Sequence, residues 1–156
     1  MLLRGDTIAT GPGARLSSLF HDGSRLQLGE RAIAIVREFA IERGRKSGAL
    51  LVELIAGPMR LTTSKPFTAP TKRVEIRTPT ALIMTSASDV WSGEVDGGRG
   101  VLLMAGKVHV RNDAGSVMIE HRKVGTLVPD GTSPPLPAVG WAGDKIGLAL
   151  ASVAPH

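Results

Sequence analysis

The sequence predicts an all-β domain, either an elongated β-solenoid or a sandwich-like roll of about ten short strands, with one short helix near the C-terminus. Glycine recurs at short intervals, and the stretches between glycines alternate polar and apolar residues or are rich in β-branched residues. Asp-Gly and Asn-Asp-Ala-Gly turns join such stretches into hairpins. Aromatic residues make up only 3% of the chain, so the core is expected to be aliphatic.

Two hairpins are the clearest elements. In each, a turn rich in residues that tolerate positive φ separates two extended stretches. Strand, turn and strand are predicted at 14–20, 21–24 and 25–28 in the first hairpin, and at 107–111, 112–115 and 116–120 in the second.

The middle of the chain is more ambiguous. Residues 31–39 begin with strand-like alternation but contain good helix formers, so both structures stay open there. Residues 48–55 also suit a helix by propensity. Gly48 and Gly57 bound this stretch and Pro58 follows it, and eight residues is a typical strand length, so a strand is predicted.

A candidate interaction surface follows from residues 73–77, which alternate polar and apolar between Pro70 and Pro79. Proline cannot donate a ladder hydrogen bond, so it favours strand ends or sheet edges. The pattern predicts an edge strand that a partner strand can join by β-augmentation. Arg73, Glu75 and Arg77 would lie on its exposed side, and Asp89 and Trp91 complete the candidate surface.

Composition then divides the chain into three parts. Residues 1–128 are predicted to form the β domain, and the proline-rich residues 129–140 to form a linker. Residues 141–156 are predicted to form a short helical tail, in which Asp144 caps a helix that reaches Val153.

The composition, charge and hydropathy of the chain argue against several classes of function. The chain has no cysteine, which removes disulfides, thiolate nucleophiles and cysteine-based zinc sites. The net charge of +5 is thinly spread, and its densest basic stretch, Arg43, Arg45 and Lys46 near Phe39, is interpreted as a solvated loop rather than a phosphate-binding patch. No stretch approaches the roughly 18 apolar residues of a membrane helix, and no export signal opens the chain as given.

Short motifs follow one another between Gly5 and Val128. They are Gly5–Arg15, Asp22–Gly29, Gly57–Arg60, Arg77–Ala81, and Asp89–Trp91 followed by Ala105–Val110. In this order they resemble the FecR domain family. Ser86–Ser88 departs from the family, which usually has Arg-Gly-Thr at this step. The motif also starts only four residues into the chain, which indicates either a truncated start or a compact variant.

The resemblance implies a function without catalysis. FecR domains are best known from sigma-factor regulators of metal uptake, in which the domain lies outside the cytoplasmic membrane and contacts a partner's signalling domain. The expectation is therefore a periplasmic, non-enzymatic protein-interaction and signalling module of the bacterial envelope. It would have a protein partner and no cofactor, metal, nucleic acid or membrane span of its own.

Two alternatives come from other functional classes. A cupin-like β-barrel that binds a small molecule or metal would need histidines and a carboxylate at one barrel mouth, and only His109 and His121 are placed to approach each other. A cell-wall glycan binder would need Trp91 exposed beside Asp89, whereas a core role for Trp91 is the favoured interpretation. Neither Ser86 nor Ser88 has a recognisable base, and Gly97–Gly100 is interpreted as a β-turn.

Overall fold

The computed structural model describes residues 2–20, 23–42, 47–63 and 71–155. The described strands, in chain order, are β1 (Thr7–Ala9), β2 (Leu16–Leu19), β3 (Arg25–Leu28), β4 (Ile33–Glu42), β5 (Ser47–Ala56), β6 (Met59–Thr62), β7 (Thr71–Arg77), β8 (Leu82–Thr85), β9 (Ser88–Val95), β10 (Gly98–Gly106), β11 (Val108–Asn112), β12 (Gly115–Ile119), β13 (Val124–Val128) and β14 (Val139–Gly140). One helix, α1 (Gly143–Ala151), follows them. The predicted mostly-β fold with a short C-terminal helix is confirmed, but several strands are longer than expected.

The described strands form two seven-stranded sheets that do not close into a barrel. The first sheet has the order β1-β4-β5-β7-β8-β11-β12, and the second has β2-β3-β6-β9-β10-β13-β14. Both sheets therefore add strands in chain order. Neighbours are antiparallel except β5 and β7, which are parallel. β6 provides their crossover, because the chain leaves the first sheet after β5, adds β6 to the second sheet and then returns.

Both predicted hairpins are confirmed. β2 pairs with β3 and β11 pairs with β12, each antiparallel. The turn residues His21 and Asp22 lie outside the described residues. In the second turn, Asn112 Oδ1 accepts hydrogen bonds from the backbone N–H groups of Ala114 at 2.9 Å and Gly115 at 3.2 Å. The side chain of Asn112 thus stabilises the bend that the sequence predicted.

The interpretation of Gly97–Gly100 as a turn is wrong in its position. The turn between β9 and β10 is at Asp96 and Gly97, with φ of 51° and 81°. Positive φ at both central residues is the type I′ geometry that suits tight hairpins. Gly98, Arg99 and Gly100 are already part of β10.

The middle of the chain forms strands. Most of residues 31–39, for which the sequence allows a strand or a helix, belong to β4. The strand predicted at 48–55 is confirmed and lies within β5.

The core lies between the two sheets and is aliphatic, as predicted. Both sheets contribute side chains to one cluster. The largest fully buried side chains of this cluster are Phe20, Leu26, Leu28, Leu50, Leu54, Met59, Leu61, Ile76, Ile83 and Leu103. Burial of each such side chain contributes about 1.5–3 kcal/mol relative to exposure, so this cluster is the main source of stability.

The proline-rich segment, predicted as a linker, makes specific contacts with both sheets. Leu136 N–H donates to the Leu127 carbonyl at 2.9 Å, and Asn112 Nδ2 donates to the Ser133 carbonyl at 2.7 Å. Asp130 accepts hydrogen bonds from the backbone N–H and the hydroxyl of Thr132, and the backbone bond is the main cause that lowers the pKa of Asp130. Residues of this segment are therefore held at defined positions.

Helix α1 packs on the outer side of the second sheet. The residue that precedes it, Ala142, is its N-cap and makes no side-chain capping bond, so Asp144 is not the N-cap; its Oδ1 accepts instead from the backbone N–H of Lys145 in the first turn at 2.9 Å. Asp144 lies in the first turn, where its charge is favourable to the helix dipole. The apolar side chains between α1 and the second sheet form a second, smaller buried cluster: Trp91, Leu102, Trp141, Ile146, Ala149 and Val153. No helix in the described part of the chain is long and apolar enough to cross a membrane.

Candidate interaction surface

The outward side of the first sheet carries a group of alternating charges, here called the charged ladder: Arg37, Glu38, Glu53, Arg73, Glu75 and Arg77. The pleat alternation of β7 buries Val74 and Ile76 in the core and turns Arg73, Glu75 and Arg77 outward. The strand register places Arg37 and Glu38 of β4 and Glu53 of β5 on the same side of the sheet as these β7 residues. The ladder therefore crosses three adjacent strands.

Ion pairs connect the members of the charged ladder. Arg37 Nε lies 2.7 Å from Glu53 Oε2, and Arg73 Nη2 lies 3.4 Å from Glu38 Oε2. Glu75 lies between two arginines, with Oε1 3.7 Å from Arg73 Nε and Oε2 3.8 Å from Arg77 Nη2. The side chains of Arg73 and Arg77 are 60% and 59% exposed. Exposed pairs of this kind contribute at most about 1 kcal/mol, so stability alone does not explain the arrangement.

Partly apolar side chains continue the same outward side beyond β7. Met84 lies opposite Glu75 in β8, and His109 lies opposite Met84 in β11. Met118 of β12 pairs with His109 and is 50% exposed. The outward side of the first sheet thus combines a charge-balanced ladder with adjacent exposed apolar area, a composition that suits protein contacts.

The prediction that residues 73–77 form an edge strand is wrong. β7 is paired on both sides, parallel to β5 and antiparallel to β8. A partner strand therefore cannot be added to β7. The prolines did not require an edge here, because Pro79 follows the strand and lies in the loop to β8; Pro70 lies outside the described residues. The edge strands of the described sheets are β1, β12, β2 and β14.

Asp89 forms an ion pair on the outer side of the second sheet. Arg60 Nε and Nη2 donate to Asp89 Oδ1 at 2.8 Å and Oδ2 at 2.6 Å, and Thr62 Oγ1 donates to Asp89 Oδ1 at 3.3 Å. The hydrogen bond to Asp89 is the main cause that raises the pKa of Arg60 above its usual value. The two side chains are 26% and 17% exposed, so this pair is well shielded from solvent. This bidentate geometry is the strong form of a charge-assisted hydrogen bond.

The Arg60–Asp89 pair is expected to stabilise the fold measurably. In a double-mutant cycle with Arg60→Met and Asp89→Asn, we expect a coupling of about 1–3 kcal/mol in the free energy of urea unfolding. The exposed pair Arg73–Glu75 is the control, and its cycle with Arg73→Met and Glu75→Gln should give less than about 1 kcal/mol. Equal couplings in the two cycles would contradict the structural role given to Asp89.

Trp91 is a core residue, as the favoured interpretation of the sequence had it. It is 3% exposed and lies under α1, where its Nε1–H donates to Ser152 Oγ at 3.1 Å. The indole meets Trp141 edge to face at a centroid distance of 6.0 Å. A sugar ring cannot stack on an indole that is covered in this way, so the structure gives no support to the glycan-binding alternative.

The five candidate surface residues therefore fall into two groups. Arg73, Glu75 and Arg77 lie together in the charged ladder of the first sheet. Asp89 and Trp91 belong to β9 in the second sheet and face its outer side. The structure does not bring the two groups together. The charged ladder is the part of the predicted surface that can contact a partner as one unit.

The chemistry needed by the cupin-like alternative is also not assembled in the described residues. His109 lies on the outward side of β11 and His121 follows β12 on the surface. Among the described residues, no three histidine or acidic side chains converge in a group that could hold a metal ion. His21 and His156 lie outside that part of the chain.

Arg99 is a notable residue that the sequence interpretation missed. The glycines around it predict a turn, but the structure places it in β10 with only 7% of its surface exposed. A signal was present, because Arg99, Val101 and Leu103 alternate with period two and the latter two are core residues. Extending that alternation backwards by one step predicts an inward-facing arginine.

Comparison with known proteins decides the family. The model of the FecR protein family matches residues 6–109, which is more than half of the chain. The chain belongs to the FecR family. A search of curated protein sequences gives no significant match.

Solved structures show the same fold. Two crystal structures of a candidate anti-sigma factor from Parabacteroides distasonis, at 1.65 and 2.50 Å resolution, each align with a TM-score of 0.70 and 17% sequence identity. The alignments cover 93% of this chain and 64% of the other, so this chain spans less than two thirds of those proteins. At this identity the likeness concerns the fold, and family membership comes from the sequence match.

The family motifs have clear structural roles in this FecR chain. Gly57 takes a φ of 82° in the bend between β5 and β6, and Thr78 caps the loop that contains Pro79, with Oγ1 accepting from Ala81 N–H at 3.0 Å. The departure at Ser86–Ser88 lies at the start of β9. Ala87 stands where the family usually has glycine, and it does not have a positive φ here. The positive φ in this region belongs to Gly106, which pairs with Ser88.

Proposed function

We propose that this FecR-family chain is a non-enzymatic signalling module of the bacterial envelope that acts by protein contact. Family membership and the likeness to candidate anti-sigma factors support a role in signalling regulation. The observation that carries the proposal is the charged ladder beside the half-buried Met84 and the exposed Met118 on the same side of the sheet. The exposed ion pairs of the ladder add little to the stability of the fold. Alternating charges do provide specificity and orientation in protein recognition.

The proposed partner is an extracytoplasmic signalling domain whose charges complement the charged ladder. Arg73 and Arg77 are the most accessible cations of the ladder, each about three-fifths exposed, and would meet carboxylates of the partner. The less exposed Glu75, at 12%, holds both arginines in position between them. Rim charges of this kind act mainly on association rate and specificity. The proposed compartment is the periplasm.

A binding measurement with purified proteins tests this proposal. The probe is a purified extracytoplasmic signalling domain, titrated by isothermal calorimetry. The variant Arg73→Glu/Arg77→Glu should bind at least about tenfold more weakly, because like charges then face each other across the interface. The weakening should shrink as the salt concentration rises.

A matched control separates local from general charge effects. Arg122→Glu changes an exposed cation in the turn between β12 and β13, and we expect its binding to match that of the unaltered chain. Unchanged binding by the double variant, or equal losses in the double variant and Arg122→Glu, would refute the charged ladder as the contact surface.

A further inference from the structure

The buried guanidinium of Arg99 lies at one end of the core. In β10, Arg99 is opposite Glu94 of β9 and Val128 of β13. Its side of the strand is the one that carries Val101 and Leu103 into the core between the sheets. Only 7% of its surface is exposed. A full positive charge is therefore placed where core side chains are expected.

The hydrogen bonds of Arg99 leave much of the guanidinium without a partner. Nη1 donates to Ser92 Oγ at 3.2 Å and to the Gly57 carbonyl at 3.5 Å. Among the described residues, no carboxylate lies within ion-pair distance of Arg99, and Nε and Nη2, which have no protein acceptor there, are not fully buried and reach solvent. Burial lowers the pKa of Arg99, and the more distant Glu94 only partly opposes that effect. A buried cation without a counter-charge is costly, so the site favours an anion.

An open cleft of about 400 Å³ leads to this guanidinium. The end of β5, the bend after β7, the turn between β9 and β10 and the residue after β13 meet there. Its walls are mainly apolar, formed by Ile55, Ala56, Pro79 and Pro129. Thr80 also lines the cleft, and its hydroxyl oxygen is buried with no hydrogen-bond partner among the described residues. The volume falls within the range of small-molecule sites, which combine apolar walls with a few polar groups.

We propose that this cleft binds a carboxylate carried on a short aliphatic group. A carboxylate matches the planar fork of a guanidinium and can accept two parallel hydrogen bonds from it. The aliphatic group would pack against the walls of Ile55, Pro79 and Pro129. The ligand thereby supplies both the missing counter-charge of Arg99 and the apolar contacts that the cleft offers.

The charged residues that line the cleft favour a ligand with one negative charge. Glu94 also lines the cleft and is exposed, so one carboxylate of the protein already faces the entrance. A dianionic phosphate would meet this repulsion with only one arginine to compensate it. The proposal therefore commits to a monoanionic carboxylate, and inorganic phosphate is expected to bind much more weakly.

Nuclear magnetic resonance of the ¹⁵N-labelled chain tests the proposal. The probes are isobutyrate and its neutral analogue isobutyramide, titrated into the millimolar range. We expect saturable shifts of the Arg99 Nε–H signal and of the Gly57 and Thr80 amides with isobutyrate, and none with isobutyramide or phosphate. Absence of saturation, or equal shifts with acid and amide, would overturn the proposal.

Two substitutions should change the affinity in opposite directions. Arg99→Gln should weaken isobutyrate binding by at least about tenfold, whereas Glu94→Gln should strengthen it by about twofold to fivefold, because it removes the repulsion at the entrance. A third variant, Arg99→Met, should lose binding while keeping or gaining resistance to urea, since it removes an unpaired buried charge. Unchanged isobutyrate affinity in a folded Arg99→Gln chain would refute the assignment.

The same experiment distinguishes a free acid from the C-terminus of a peptide. An N-acetylated Gly-Val dipeptide is compared with its C-terminally amidated form. Tighter binding of the free dipeptide than of isobutyrate would assign the carboxylate to a peptide end, and weaker binding would assign it to a small free acid. Binding of the amidated peptide as tight as that of the free form would count against a carboxylate site.

Discussion

Gly57→Ala is expected to destabilise the fold by about 2–5 kcal/mol, from two additive causes. Gly57 has a φ of 82°, a conformation that costs an L-residue about 1–2 kcal/mol. A Cβ at this position would also lie 2.5 Å from Ala32 Cα and 2.7 Å from Ala32 Cβ. Ala32 is fully buried, so its backbone cannot move aside cheaply. The measurement is the free energy of urea unfolding.

Two glycines provide matched controls for Gly57. Gly97 has nearly the same φ, 81°, but an added Cβ there meets nothing within 4 Å, so Gly97→Ala should lose only the backbone part, about 1–2 kcal/mol. Gly140 has neither constraint, and Gly140→Ala should change stability by less than about 0.5 kcal/mol. A loss at Gly57 no larger than the loss at Gly97 would show that contact with Ala32 is unimportant.

Trp141→Ala is the second substitution with a large expected effect, about 3–5 kcal/mol in the free energy of unfolding. The indole packs over Gly100 and Gly125, where an added Cβ would lie 2.9 Å and 2.5 Å from its ring. It also meets Trp91 edge to face, and Lys145 Nζ lies 4.2 Å from its ring centroid. Loss of this side chain removes one of the two indoles from the buried cluster that joins α1 to the second sheet.

Fluorescence separates release of the helix from general destabilisation. Trp91 is the remaining tryptophan in the Trp141→Ala variant, and its emission should shift to longer wavelength under native conditions because α1 no longer covers it. Leu148→Ala, at a helix position that is 76% exposed, should change stability by less than about 0.5 kcal/mol and leave the emission unchanged. Unshifted Trp91 emission in Trp141→Ala would mean that α1 stays docked without Trp141.

Local chemistry made parts of this fold predictable. The hairpin at Asn112–Gly115 depends on the Asn112 side chain, which is visible in the sequence, and none of its four residues needs a positive φ. The strand at 48–55 ends at Gly57, whose φ of 82° turns the chain, whereas Gly48 is already part of β5. In both cases the deciding interactions join residues close together in the chain, so composition and spacing were sufficient.

The features that the sequence did not reveal depend on partners that are far apart in the chain. Whether β7 is internal is decided by its parallel pairing with β5, which requires the crossover through β6 in the other sheet. The role of Asp89 is decided by Arg60, 29 residues earlier. Gly98 and Gly100 around Arg99 suggest a turn, and they obscure the period-two alternation that links Arg99 to Val101 and Leu103. Short motifs carry no information about which distant strands pair or in which register.

Because each sheet adds its strands in chain order, the molecule can be assembled vectorially. A nascent or translocating polypeptide that emerges N-terminus first would find, for each new strand, an acceptor edge already present. The cost is that the leading edge remains unpaired until the next strand arrives. A chain that stalls after β10 would leave that long strand open on one side while it waits for β13, and an open edge invites intermolecular pairing.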